Sequence, residues 1–108
     1  MMTQQTGRAL WALLHAFALA YPVQATAEDR QRAQFWLAVF NQCVADAATS
    51  CARCAREWKA LCDDCAPDLS GRTAFYEWTI AAHDRVNVAR GVALHHPSIS
   101  LRNPLFGV

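Results

Sequence analysis

The sequence predicts an all-α domain, a four-helix bundle followed by a short irregular C-terminal tail, and three observations carry that prediction. Glycine and proline are absent between Val23 and Ala66, and an unbroken stretch of that length favours helices. Large apolar residues recur three or four positions apart, the period of one helix face. No segment alternates apolar and polar residues as a half-buried strand would.

The first helix is expected to start near Thr6 and to end at Tyr21-Pro22, because the residue before a proline is pushed out of helical geometry. The second begins near Glu28 and carries Phe35, Trp36, Val39, Phe40 and Cys43 as its apolar stripe. Asp46 to Ser50 is small and polar and reads as a loop. Ser50 is then expected to cap a third helix that holds Cys51, Cys54, Trp58, Leu61 and Cys62 on one side. Pro67-Asp68-Leu69-Ser70-Gly71 reads as a turn. A fourth helix follows, with Phe75, Trp78, Ala82, Val86 and Ala89 as its stripe. Beyond Gly91 the pattern fades, and Pro97 and Pro104 mark the irregular tail. Short connections make the four helices a bundle.

Composition narrows the function. A chain of 108 residues allows a single domain, 1–108, with its core at about 7–91. Hydrophobic residues make up 54% and charged residues 18%, the balance of a globule and not of a disordered tail. A core this small has little stability in reserve, so a cofactor, a cross-link or a partner subunit is expected to help. Ten Lys and Arg against nine Asp and Glu give a net charge of +1, without the positive field that phosphate backbones require. Nucleic acid is therefore not an expected partner. The apolar stretch Ala9 to Tyr21 is too short to span a bilayer and carries His15 in its middle, so no membrane partner is expected either. With Arg8 before it and Ala25-Thr26-Ala27 after it, the same stretch shares features with a secretory signal. Trp11, His15 and Tyr21 fit a helix face instead, and a signal peptide is not the expected reading.

Five cysteines are the unusual feature. Four form two pairs of equal spacing, Cys51-Ala-Arg-Cys54 and Cys62-Asp-Asp-Cys65, and Cys43 is left over. Two cysteines three apart at a helix start lie about a turn apart, with Cα atoms about 5 to 6 Å from each other, which a disulfide can bridge. The positive end of the helix favours the thiolate, and Arg53 and Arg56 are expected to push the same way. Several chemistries compete. Four thiolates satisfy a structural zinc. However, the seven residues between Cys54 and Cys62 keep helical periodicity, where zinc ribbons use longer gaps and hairpins. A thioredoxin-like site needs a β-α-β context that is missing. A dithiol working with a second redox group in the bundle fits, and an inert disulfide or free core thiols is the bland alternative. Asp63 and Asp64 disfavour thiolate at Cys62 and Cys65, so that pair should be less reactive, either a relay or a staple. Cys43 is expected to be a buried small hydrophobe.

Trp11 and His15 are four apart, as are His83 and Asn87, and on helices each pair projects from one face. Together they would line a slot between the first and fourth helices that suits a flat aromatic cofactor. Arg8, one turn before Trp11, and Arg90 are placed to meet a phosphate.

At this point the order of residues resembles a known family. Gly7-Arg8-x-x-Trp11-x-x-Leu14-His15-x-x-Ala18-x-x-Tyr21-Pro22, then Ala33-Gln34-Phe35, then Cys51-x-x-Cys54 are similar to the Erv/ALR sulfhydryl oxidases. Pro67-Asp68, Arg72, Phe75, Trp78 and His83-x-x-Val86-Asn87 continue the likeness, which covers about residues 7–91. The resemblance implies a four-helix bundle, often a homodimer, that holds FAD between its helices. It implies oxidation of a dithiol-containing protein substrate, with oxygen as electron acceptor and hydrogen peroxide as product. By position, Cys51 resembles the cysteine that exchanges with substrate. Cys54 resembles the one beside the flavin, whose thiolate attacks its ring. Gly7, Arg8, Trp11, His15, His83, Val86 and Asn87 match family positions at the cofactor, and Asp84 stands where the family usually has Asn.

The departures matter too. Thr49-Ser50 replaces an aromatic-Pro step before the first active cysteine, at the end of a longer loop. Ile80 replaces a cysteine that forms a structural disulfide in many cellular members, so that bridge should be absent. The family's basic residue beyond Val-Asn has Arg90, His95 or His96 as its candidate replacements. The late aromatic-basic segment of cellular members is missing, as in compact viral-type members. The resemblance leaves two compartments open, an oxidising one or virus-infected cytoplasm, and names no substrate protein.

Overall fold

The computed structural model describes residues 4–49 and 51–89, which form four helices: α1 (Gln4–Leu19), α2 (Ala27–Ala47), α3 (Ala52–Asp64) and α4 (Arg72–Ala89). No strand occurs among the described residues. The all-α bundle expected from the breaker-free sequence is the fold. Ser50, Arg90, His95, His96 and the tail beyond Gly91 lie outside the described residues.

Local chemistry sets the helix ends. At the end of α1, the Tyr21 amide donates to the Ala18 carbonyl at 3.2 Å, and Pro22 permits no further turn. The Arg72 guanidinium donates to the Tyr21 carbonyl at 2.6 Å, and the Tyr21 hydroxyl donates to the Leu69 carbonyl at 2.8 Å. These bonds tie the end of α1 to the turn that leads into α4. Helix α2 opens on a reciprocal capping box, in which Thr26 Oγ1 accepts the Asp29 amide and the Asp29 carboxylate accepts the Thr26 amide. In the turn before α4, the Asp68 carboxylate accepts both the amide and the hydroxyl of Ser70. The N-cap of α3 is Cys51 and not Ser50, one position later than the sequence suggests.

The core is built from Leu14, Ala18 and Tyr21 of the α1 side, Ala33, Leu37, Phe40 and Val44 of α2, Leu61 of α3, and Phe75, Trp78 and Ala82 of α4. Helix α4 is the central element. Five consecutive residues, Trp78 to Ala82, are each at most 1% exposed, so this helix is covered all round and not on one stripe alone. Ile80 is one of them, packed as an apolar residue.

Helix α2 differs from expectation. Its buried stripe is Ala33, Leu37, Phe40 and Val44, whereas Phe35 is 73% exposed, Val39 is 50% exposed and Cys43 is exposed. Cys43 is therefore not a buried hydrophobe. The helix has two apolar stripes, and only one turns inward. Trp36 joins the inner side by stacking flat on Phe17 of α1, with ring centres 3.9 Å apart.

Candidate functional site

The position of Cys51 sets the chemistry of the first cysteine pair. As N-cap of α3, its sulfur accepts the Cys54 amide at 3.2 Å and satisfies one donor that the first turn leaves unpaired. Cys54 follows one turn later, its Cα 5.3 Å away, and the two form a disulfide. Once that bond opens, the Cys51 sulfur lies against an amide and the positive end of the helix, and both favour its thiolate. Arg53 helps less than its position suggests, because its Nε pairs with the Glu57 carboxylate at 2.9 Å. Cys51 is 9% exposed, whereas Cys54 is half-buried and faces a cleft.

All four helices contribute to that cleft. Helix α1 supplies Gly7, Leu10 and Trp11, α2 supplies Phe40 and Val44, and α4 supplies Val86. Helix α3 supplies Cys54, Glu57 and Trp58. The wall is mainly apolar and aromatic, with Trp58 edge-on to Trp11 at 5.7 Å and held by its indole N–H to Asn41 at 3.0 Å. Behind Trp11 lies a polar cluster. The His83 ring stacks on Trp11 at 4.2 Å, nearly parallel at 9°, and its Nδ1 is 3.2 Å from His15 Nε2. Thus Gly7, Trp11, Cys54 and Val86 share one cleft, and His15 and His83 join it through the Trp11 face.

Three further predicted residues do not line the cleft. Asp84 and Asn87 are buried in α4, and Arg8 is exposed on α1. The sequence reading missed Leu10, Phe40, Val44, Glu57 and Trp58 as cleft residues. Trp58 carried a usable signal, since it lies one helical turn after Cys54.

Two features fit a ligand with a flat body and a polar edge. The buried Asn87 Nδ2 has no hydrogen-bond acceptor among the described residues, a cost that an outside acceptor would remove. Gly7 weakens its helix by about 1 kcal/mol relative to alanine. Yet a Cβ there would meet nothing within 4 Å, so protein packing does not require glycine.

The remaining cysteines stand apart. Cys43, Cys62 and Cys65 take part in no disulfide. Cys62 lies eight positions after Cys54 on α3, about 12 Å along a helix, too far for one tetrahedral metal or for direct thiol exchange. Two of the four sulfurs that the zinc alternative needs are bonded to each other, and no metal-binding cluster forms among the described residues. Burial, with help from Asp63, pushes the Cys62 thiol up to about 11. No helix is long and apolar enough to cross a membrane among the described residues.

The Erv1/Alr family model matches residues 8–100 of this chain, which includes every cleft residue but Gly7, both cysteine pairs and α4. The chain belongs to that family. It is 30% identical over 84 residues to the mitochondrial FAD-linked sulfhydryl oxidase ERV1 of Saccharomyces cerevisiae, a match covering 78% of this chain and 42% of that protein. It is 26% identical over 88 residues to the FAD-linked sulfhydryl oxidase ERV1 of Oryza sativa subsp. japonica, covering 82% and 43% respectively. The chain thus spans less than half the length of these curated relatives. Its fold is similar to that of the crystallised FAD-binding domain of S. cerevisiae Erv1, with a TM-score of 0.75 at 25% identity. That match covers 100% of this chain and 98% of the domain. The crystallised yeast Erv1 core gives a TM-score of 0.74 at 26% identity, covering 91% of this chain and 79% of the core.

Proposed function

We propose that this chain is an FAD-dependent thiol oxidase domain that forms disulfide bonds in a dithiol-containing protein substrate and passes the electrons to oxygen, with hydrogen peroxide as product. The observation that carries the reading is the position of Cys54. It is half of a disulfide, and it lines one cleft with Gly7, Trp11 and Val86. The unpartnered Asn87 amide and the unfilled space at Gly7 fit a bound flavin nucleotide. Gly7, Trp11 and Val86 would hold its rings, and His15 and His83 would back Trp11. Asn87 would offer its amide, buried Asp84 would support them from within α4, and Arg8 would meet its phosphates.

The first half-reaction uses only this chain's sulfurs. A substrate thiolate attacks Cys51 Sγ, the Cys51–Cys54 bond breaks, and Cys54 leaves as a thiolate. The second substrate thiolate then attacks the substrate sulfur of the mixed disulfide and releases Cys51. One substrate disulfide has formed, the pair is reduced by two electrons, and two protons have been lost from the substrate thiols. The Cys54 amide and the α3 N-terminus speed the last step, because they stabilise the departing Cys51 thiolate. When bound, FAD supplies a two-electron acceptor for this dithiol and a route for those electrons to oxygen. The wall around Cys54 is mainly apolar and aromatic, which suits a flat ring seated beside that sulfur.

A homodimer belongs to the same reading. The outer stripe of α2, with Phe35 and Val39, is exposed, and Leu13 and Leu19 of α1 are 50% and 55% exposed. Phe35 borders a second cleft with Phe17, Ala20 and Tyr21, so apolar surface from both helices meets there. A second copy of the chain is the occupant we assign to it.

The purified protein should be yellow and should consume oxygen in the presence of dithiothreitol, with one hydrogen peroxide formed per disulfide. Cys51→Ser and Cys54→Ser should each abolish oxygen uptake while the flavin absorbance stays. A preparation that takes up no flavin when refolded with FAD would overturn the reading.

A further inference from the structure

Thr79 is fully buried in α4, and its hydroxyl lies between the Tyr76 carbonyl and the His15 ring. The hydroxyl donates to the Tyr76 carbonyl at 2.6 Å, and a carbonyl can only accept, so the hydroxyl proton is committed there. Thr79 Oγ1 must then accept from His15, whose Nδ1 lies 2.9 Å away, so that Nδ1 carries a proton. A neutral His15 keeps its lone pair on Nε2. His83 Nδ1, 3.2 Å from that nitrogen, is therefore the donor, and a neutral His83 keeps its own lone pair on Nε2. One hydroxyl thus sets the direction of a chain of hydrogen bonds running from α4 to α1 and back. The chain reaches the ring stacked on Trp11, which forms part of the cleft wall.

We propose that Thr79 is a positioning residue for the cofactor cleft: its hydroxyl fixes the tautomers of His15 and His83 and thereby the orientation of the ring behind Trp11. This rests on the reading of His15 and His83 as neighbours of bound FAD. An apolar residue at position 79 would fill the space but leave His15 Nδ1 without its acceptor. Serine would keep the acceptor, because its hydroxyl can make the same pair of bonds.

The test reads tautomers directly. Imidazole nitrogen spectra of the nitrogen-15-labelled full chain, taken at a pH where both rings are neutral, should show His15 and His83 as Nδ1–H forms in the wild type and in Thr79→Ser. Thr79→Val should move His15 towards the Nε2–H form and bind FAD about tenfold more weakly, the loss of one supporting hydrogen bond. Thr79→Ala gives the same readout if the valine variant does not fold. The proposal is overturned if His15 remains Nδ1–H in the apolar variants, or if Thr79→Ser behaves like Thr79→Val. Failure of the wild type to bind FAD in equilibrium dialysis would remove the flavin reading and the link to the cleft. The imidazole spectra would still decide whether Thr79 sets the tautomers.

Discussion

Cys51 begins α3 with its sulfur against an amide and the positive helix end, whereas Cys62 sits near the other end of that helix, partly buried beside Asp63. Burial and the Asp63 charge both oppose ionisation of Cys62, and its thiol rises from 9.0 to about 11. Between those two values the unfolded chain has lost the proton and the folded chain keeps it. The stabilisation is thus complete below the lower value and disappears as pH rises through the upper one. Urea midpoints should fall across that window in the wild type and fall less in Cys62→Ala. At pH 8 only roughly one Cys62 in a thousand is thiolate, so iodoacetamide should label exposed Cys43 well before Cys62, as mass spectrometry of timed samples would read. The dulling effect of Asp63 was legible in the sequence because adjacent residues cannot separate. The loss of help from Arg53 was not, because the sequence does not say which carboxylate its side chain chooses.

Element ends follow local rules, and those rules are written in short stretches of sequence. Pro22 stops α1 and the Thr26/Asp29 box starts α2, both through contacts within a few residues. Gly71 obeys a longer-range demand. It is buried ahead of α4, and a Cβ there would collide with the Val23 carbonyl oxygen, beside which the Ala25 amide donates to the Ser70 carbonyl. Backbone atoms cannot yield as a flexible side chain can. Gly71→Ala should therefore cost about 1–3 kcal/mol, seen as a lower melting temperature in circular dichroism with helical content retained at low temperature. Helix α2 shows the limit of periodicity. Phe35, Val39 and Cys43 share a helical spacing as good as that of Leu37, Phe40 and Val44, and spacing alone cannot tell which stripe meets the core. Thr79 was missed for a related reason, since a lone hydroxyl in an apolar stretch gains meaning only from what lies 64 residues away.

At the scale of the whole molecule, the proposed dimer places the outward stripe of α2 at its interface. The wild type should run at twice its 12.0 kDa chain mass in light scattering, and Phe35→Asp should run as a monomer. Phe35 is 73% exposed in the single chain, so the charge should leave the fold of each protomer intact and helicity unchanged. A wild type that is monomeric at tens of micromolar would remove the dimer from the account.

The sequence by itself determined the helical class, the helix ends to within a few residues and the reactive spacing of Cys51 and Cys54. Each depends on residues within a turn or two of one another, where geometry is nearly fixed. Only the tertiary structure decided which stripe of α2 is inside, which residues of all four helices wall the cleft at Cys54, and that the Thr79 hydroxyl meets His15. Those depend on how four rigid rods pack, and packing compares whole surfaces that no single stretch of chain contains.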